Sequence, residues 1–183
     1  MARAKEFVAF VVDVGPHMHA HLESVERYLL CCAEGKLVYR PKDEVALVCF
    51  GTTGTSNACN EEQPEQYAHI SVVRPYTAPD HTMLQQFSKL QRGAGSSDWL
   101  DALVVVGDML AKTWEARGAA VMAKAVKRCV LVSSFKGACN EFDDEYTRGA
   151  VEALQARGLT LEVVVLDAED GPQYSGPAHT ATR

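Results

Sequence analysis

With 183 residues, 47% of them hydrophobic and 23% charged, the chain can bury a full core without disulfides or a structural metal. Its 24 acidic against 18 basic side chains leave a formal charge of -6, which argues against this segment alone gripping a phosphate backbone, a task that needs a clustered positive field. The basic start, Met1 to Lys5, precedes an apolar run that stops at Asp13, too short for the core of a secretory signal, and no stretch reaches membrane-spanning length, so a soluble protein is expected.

Phe7 to Val12 is a continuous apolar, β-rich run, the pattern of a strand buried on both faces of a parallel sheet. Asp13-Val-Gly-Pro16 ends it. Residues 18–33 then carry helical spacing, with Leu22, Val25, Leu29 and Cys32 on one stripe and Glu23, Glu26 and Arg27 away from it. Pro41 to Glu44 turns the chain into a second strand, Val45–Phe50. The polar loop from Gly51 to about Tyr67 has no apolar helical stripe, and His69–Arg74 reads as a third strand. Without a crossover helix between them, strands two and three are predicted to be antiparallel neighbours.

Asp80 is placed to cap a short helix through about Leu90, with Met83, Leu84 and Phe87 inward. Arg92 to Ser97 breaks it. Asp98 to Trp114 resumes helix, with Leu100, Leu103, Val104, Gly107, Leu110 and Ala111 as its buried stripe. Arg128–Ser133 is a fourth strand, residues 142–157 an amphipathic helix closed by Gly158, and Leu159–Leu166 a fifth strand. After Asp167 the sequence is rich in Gly, Pro, Ser and Thr without periodicity, so residues 1–167 are read as one domain and 168–183 as a tail or linker. Strands alternating with helices imply an α/β fold: a mostly parallel sheet with one antiparallel strand and helices on both faces. On such sheets ligands sit at the carboxyl ends of the strands, here the loops after Val12, Phe50 and Val132.

Six cysteines occur, at positions 31, 32, 49, 59, 129 and 139, with no CxxC spacing. Cys49 and Cys129 lie inside strand-like runs, where cysteine behaves as a small hydrophobe, so reduced thiols and an intracellular compartment are expected. The Gly51-Thr-Thr-Gly-Thr loop is phosphate-friendly in composition but lacks the lysine and spacing of a P-loop. His17, His19 and His21 alternate and read as a polar loop and helix entry, not a ligand set. No GxSxG, HExxH or comparable motif proposes a reaction, so no enzyme activity is expected.

Asp13, ending the first strand before a turn and helix, carries a resemblance to the von Willebrand factor A superfamily over residues 6–167. There the resemblance implies a divalent cation held by Asp-x-Ser-x-Ser, a threonine before the helix at 98, and an aspartate after strand four. This chain reads Asp13-Val-Gly15-Pro-His17, offers Ser96 and Ser97 in place of the threonine, and has Ser133 and Ser134 after strand four. One carboxylate with scattered hydroxyls is a poor magnesium site, so Asp13, Gly15, His17 and Ser133 are read as a degenerate remnant and no cofactor is expected. A metal-dependent adhesion or receptor domain is the alternative this remnant keeps open.

Asp43-Glu-Val-Ala-Leu-Val-Cys-Phe-Gly-Thr-Thr-Gly-Thr-Ser-Asn57 resembles the larger-subunit family of the Ku heterodimer. Asp13-Val-Gly15 with Met18, Gln66-Tyr67, and Asp98-Trp-Leu-Asp-Ala-Leu103 are similar to further stretches of that family, in the same order. The acidic loop from Ala58 to Glu65, and Val130 in strand four, depart from its pattern. The resemblance implies a nuclear protein paired with the smaller Ku subunit, acting in end joining at double-strand breaks and at telomeres. DNA ends would be held mainly by a central barrel outside this chain. It further implies a non-catalytic groove for short basic and hydrophobic motifs of end-processing and ligation factors. By matching position, Tyr67, Asp98, Asp101 and Val104 would line that groove. Two carboxylates would attract arginines, while Tyr67 and Val104 would offer apolar surface. Asp98 also reads as an ordinary helix cap, Asp101 as a first-turn acid favoured by the helix dipole, Val104 as core and Tyr67 as a staple for its loop.

Overall fold

The computed structural model describes residues 3–137 and 144–167. Five strands, β1 (Glu6–Asp13), β2 (Glu44–Phe50), β3 (Ile70–Thr77), β4 (Val126–Ser133) and β5 (Leu159–Val165), form one sheet in the order β3-β2-β1-β4-β5. β1 pairs in parallel with β2 and β4, β4 pairs in parallel with β5, and β2–β3 is the one antiparallel pair. This is the mostly parallel sheet with one antiparallel hairpin that the strand pattern predicts, and it is the Rossmann-like, von Willebrand factor A-type arrangement that the resemblance implies. The central strands are buried along their whole length, as their unbroken apolar runs require.

Helices cover both faces. On one face α1 (Leu22–Tyr39) and α3 (His81–Phe87) bury Leu22, Val25, Leu29, Met83 and Phe87 against Val8, Phe10 and Val12. On the other, α4 (Trp99–Arg117), α5 (Ala119–Lys124) and α6 (Asp144–Ala156) close over Phe7, Val11, Val48 and Leu131. Asp80 caps α3 by accepting from the Met83 N–H at 2.8 Å, as its position predicts. Gly158 ends α6 in the left-handed region at φ 66°.

The differences from the sequence reading have local causes. α1 runs on past Gly35 to Tyr39, where Lys36 is anchored by Glu6 and Asp43 beneath the sheet. β3 continues through Pro75 to Thr77, which an edge strand tolerates because one row of its N–H groups needs no partner. α2 (Ala58–Glu62) is a single turn without an apolar stripe, nucleated by Asn57, whose Oδ1 accepts from the Asn60 N–H at 2.8 Å. α4 buries a wider face than one stripe, adding Ala102, Val105 and Val106, because it packs on the sheet while flanked by α5 and α6. The predicted tail at 168–183, Cys139 and the start of the helix at 142 lie outside the described residues. Among the described residues no helix is long and apolar enough to cross a membrane.

Beneath the sheet, at the N-terminal ends of β1 and β2, Lys36 bridges Glu6 and Asp43, Arg40 binds Asp43, and Arg128 binds Glu6 and Glu162. Burial alone would raise the carboxyls of Glu6 and Asp43. The surrounding ammonium and guanidinium groups outweigh it and hold both below the usual range.

Candidate functional site

The carboxyl-end rim of the sheet is closed by its own side chains. Asp13, 1% exposed at the end of β1, accepts four hydrogen bonds. Its Oδ1 takes the Gly15 N–H at 3.0 Å and the Ser97 hydroxyl at 2.9 Å. Its Oδ2 takes His17 Nε2–H at 2.7 Å and the Ser133 hydroxyl at 2.6 Å. The Ser133 oxygen in turn accepts the Phe135 N–H at 2.9 Å. Two bare glycines make the slot for the imidazole. A Cβ on Gly15 would stand 2.5 Å from Ser97 Oγ, and one on Gly137 would stand 2.3 Å from His17 Cε1. The space left over Asp13 is a cavity of about 30 Å³, room for a water molecule.

Of the four remnant positions, Asp13, His17 and Ser133 therefore converge, and Gly15 contributes an amide where the cation pattern needs a hydroxyl. The lone pairs that a magnesium ion would take are already engaged by protein donors, and an imidazole stands beside the carboxylate. This donor set does not fit a hard divalent cation. The three alternating histidines do not converge: His19 Nε2 lies 2.9 Å from the Gly93 carbonyl, and His21 meets Asp167 at 2.8 Å. Two hydroxyls of the Gly51–Thr55 loop are engaged within the protein. Thr52 donates to the Gly54 carbonyl and Thr55 accepts the His69 N–H at 2.9 Å.

The second cluster lies at the side of the domain, where Tyr67, Asp101 and Tyr146 meet. Tyr67 and His69 both adopt positive φ, 56° and 59°, just before β3. That conformation is uncommon for residues with a Cβ, and Asn57 pins it by donating to the carbonyls of Tyr67 at 3.0 Å and Ile70 at 2.9 Å. The Tyr67 ring is thereby half-buried against the core on the α4 face. Asp101, in the first turn of α4, accepts the Tyr146 hydroxyl at 2.6 Å and faces the Tyr67 backbone amide. The phenol groups of Tyr67 and Tyr146 lie close enough to influence each other's ionisation.

The electrostatics separate the two carboxylates assigned to this region. Asp98 is only 5% exposed and caps α4, accepting the Asp101 N–H at 3.0 Å. Asp101 is half-buried, and its carboxyl is raised: burial is the largest cause, the Asp98 charge adds to it, and the Tyr146 hydroxyl opposes it. Tyr146 is pushed strongly upward by burial and by the Asp101 carboxylate, so it stays a donor at neutral pH.

Val104, one turn beyond Asp101, is half-buried on a groove between α4 and α6. This groove has a volume of about 400 Å³, is floored by Gly107, Ala111, Ala150 and Ala153, and runs from Tyr146 to Arg157. Tyr67, Asp101 and Val104 are thus brought to one side, with Asp98 beneath them. Tyr146 is the participant that the sequence did not reveal. It stands 45 residues from Asp101 on a helix whose position depends on the whole sheet. The small residues Gly149, Ala150 and Ala153 were the available hint that α6 presents a shallow face.

Comparison with known proteins agrees with this architecture. Residues 7–175 match the family described as the Ku70/Ku80 N-terminal alpha/beta domain. The chain is 33% identical over 185 residues to the Arabidopsis thaliana protein named ATP-dependent DNA helicase 2 subunit KU80, covering 98% of this chain and 25% of that one. It is 41% identical over 110 residues to the Oryza sativa subsp. japonica protein of the same name, covering 60% of this chain and 16% of that one. It is 28% identical over 188 residues to X-ray repair cross-complementing protein 5 of Xenopus laevis, covering 98% of this chain and 24% of that one. The chain thus spans about a quarter of the length of the full-coverage relatives. A family match across all five strands, on a mostly parallel sheet whose single antiparallel pair the sequence pattern predicts, settles the assignment: the chain belongs to the Ku70/Ku80 N-terminal alpha/beta domain family.

Proposed function

We propose that this chain is a non-catalytic protein-interaction domain of a larger Ku subunit. In this reading it pairs through the intact protein with the smaller Ku subunit in the nucleus. It scaffolds end joining at double-strand breaks and telomere maintenance by recruiting factors that carry short basic and hydrophobic motifs. DNA ends are held mainly by parts of the protein outside this chain. The observation that carries the reading is a desolvated carboxylate, Asp101, held between two tyrosines at the mouth of a small-residue groove. A half-buried carboxylate is a strong acceptor for an arginine, because a charge-assisted pair gains where water is excluded. The groove beyond Val104 is apolar and shallow enough for one anchoring side chain. The saturated Asp13 rim supports recognition over a cation-dependent grip, so the metal-dependent adhesion reading is not favoured.

Calorimetric titration of the domain with an arginine-containing Ku-binding peptide tests this. Heat of binding is expected, unchanged by chelator and reduced in Asp101→Asn. A flat titration with the wild-type domain would remove the groove from consideration.

A further inference from the structure

A cavity at the carboxyl end of β2 has a wall unlike the others of the domain. It encloses about 490 Å³ between the Gly51–Ser56 loop, the edge strand β3 and the segment that follows α3. Although the chain carries 24 acidic side chains, no carboxylate lines this cavity, whereas four other cavities each include at least one. Its wall instead brings together two cations, Lys89 and Arg92, and the hydroxyls of Thr52, Thr53, Thr55, Ser56 and Ser71. Cys49 lines it too, and burial pushes that thiol up to about 12, so it adds no negative charge at neutral pH. The Glu26 carboxylate on α1, which accepts the Leu90 N–H at 2.8 Å, stays outside the wall.

The donors here are unspent, and the walls that hold them are fixed. Lys89 and Arg92 are exposed and meet no carboxylate or carbonyl among the described residues. The hydroxyls of Thr53 and Ser56 and the N–H groups of Thr53, Gly54 and Thr55 likewise meet no partner among the described residues. The Gly51–Ser56 loop docks backbone to backbone on the segment before α4. A Cβ on Gly93 would stand 1.9 Å from the Gly51 carbonyl oxygen, and one on Gly95 would stand 2.5 Å from that of Thr52. Gln86 ties the end of α3 to β3, accepting from Arg74 at 3.3 Å and donating to the Val73 carbonyl at 3.1 Å.

This donor set discriminates among anions. A phosphate monoester carries close to two charges and three acceptor oxygens, which two cations and a run of free amides and hydroxyls match. A nucleic-acid backbone spreads its charge along a track and needs a long positive field, which a chain of formal charge -6 does not offer. No aromatic side chain lines the cavity for a base to stack on. Val73, 39% exposed, and Leu90 give apolar surface for residues beside the phosphate.

We propose that this cavity receives a phosphorylated serine or threonine side chain of a partner polypeptide, with Lys89 and Arg92 pairing its charge and the Gly51–Ser56 loop donating to its oxygens. The site is separate from the Asp101 groove and does not depend on it. The test uses the full-length protein within its native complex and an array of peptides with a fixed central phosphoserine or phosphothreonine and randomised flanks, beside their unphosphorylated twins. Binding confined to phosphorylated peptides is expected. Affinity should fall at least about tenfold in Lys89→Ala/Arg92→Ala, a variant that removes only exposed, unbonded side chains, and should be unchanged in Asp101→Asn. Any other pattern overturns the proposal: no phosphate-dependent binder, phosphate-dependent binding that survives the double substitution, or loss in Asp101→Asn. Tighter binding of a 5′-phosphorylated oligonucleotide that is itself lost in the double variant overturns it as well.

Discussion

Asp98 and Asp101 stand three residues apart at the start of α4, and their substitutions are expected to separate stability from recognition. Asp98 is 5% exposed and caps the helix, so Asp98→Ala removes the acceptor for the Asp101 N–H and leaves a buried gap. Loss of such a cap costs about 1–2 kcal/mol. Asp101 behaves oppositely. Its carboxyl is raised in the folded state, chiefly by burial and then by the Asp98 charge, so folding disfavours its ionised form. A raised carboxyl leaves stability intact below the unfolded value and subtracts from it as pH climbs through the folded one. Asp101→Asn removes that subtraction at neutral pH and keeps an acceptor for the Tyr146 hydroxyl. It also gives up a first-turn charge worth about 0.3–1 kcal/mol to the helix dipole. The net change at pH 7 is therefore within about 1 kcal/mol of zero and tends toward stabilisation, and any gain fades as pH falls below about 4. Peptide affinity is expected to fall in the same variant by about tenfold to a hundredfold, the worth of one charge-assisted hydrogen bond. Urea melts at pH 7 and pH 4, with peptide titrations alongside, read both quantities. Destabilisation of Asp101→Asn by more than about 1 kcal/mol at pH 7, with peptide binding intact, would refute the reasoning.

Other perturbations follow from the same geometry. His17→Ala strips one donor from the buried Asp13 carboxylate and is expected to cost about 1–3 kcal/mol in chemical denaturation, while millimolar magnesium or chelator leaves the wild-type melting temperature unchanged. Lys36→Ala leaves Glu6 and Asp43, both nearly inaccessible, short of a shared cation and should cost about 3 kcal/mol. Because both carboxyls lie below their unfolded values, the stability they lend is present above the unfolded range and drains away as pH drops through their folded values. The acid limb of a pH–stability curve in the wild type should therefore lie below about pH 4 and flatten in Lys36→Ala. Native thiol titration with peptide mapping should find Cys31 reactive and Cys49 and Cys129 inert, since burial pushes both latter thiols up to about 12.

How much of this was legible depended on how far apart in the chain the cooperating residues stand. β1, β2 and β4 announced themselves because the stretches buried on both faces, Phe7–Val12, Val45–Phe50 and Cys129–Val132, must be apolar throughout, a property of four to six consecutive residues. The antiparallel β2–β3 pair followed from a connection with no helix long enough to cross the sheet. Caps at Asp80 and Asp98 were readable for the same reason, since a cap and its acceptor geometry span three residues. The single turn at Ala58–Glu62 was not, because one turn has no periodicity to detect.

At the rim, sequence inspection found missing hydroxyls and predicted a weak remnant. The structure instead has a fully satisfied carboxylate, built from donors 84 and 120 residues away and an imidazole seated between two glycines. Losing ligand oxygens and gaining a substitute donor look alike in a linear motif, because a histidine four residues from an aspartate is unremarkable until Gly137 opens the slot for its ring. The distinction matters for function. A half-filled site would leave a buried charge short of partners and prone to recapture a cation. A closed one does not offer the rim as a cation grip, which is why the proposed recognition rests on side surfaces such as the Tyr67–Asp101–Tyr146 cluster.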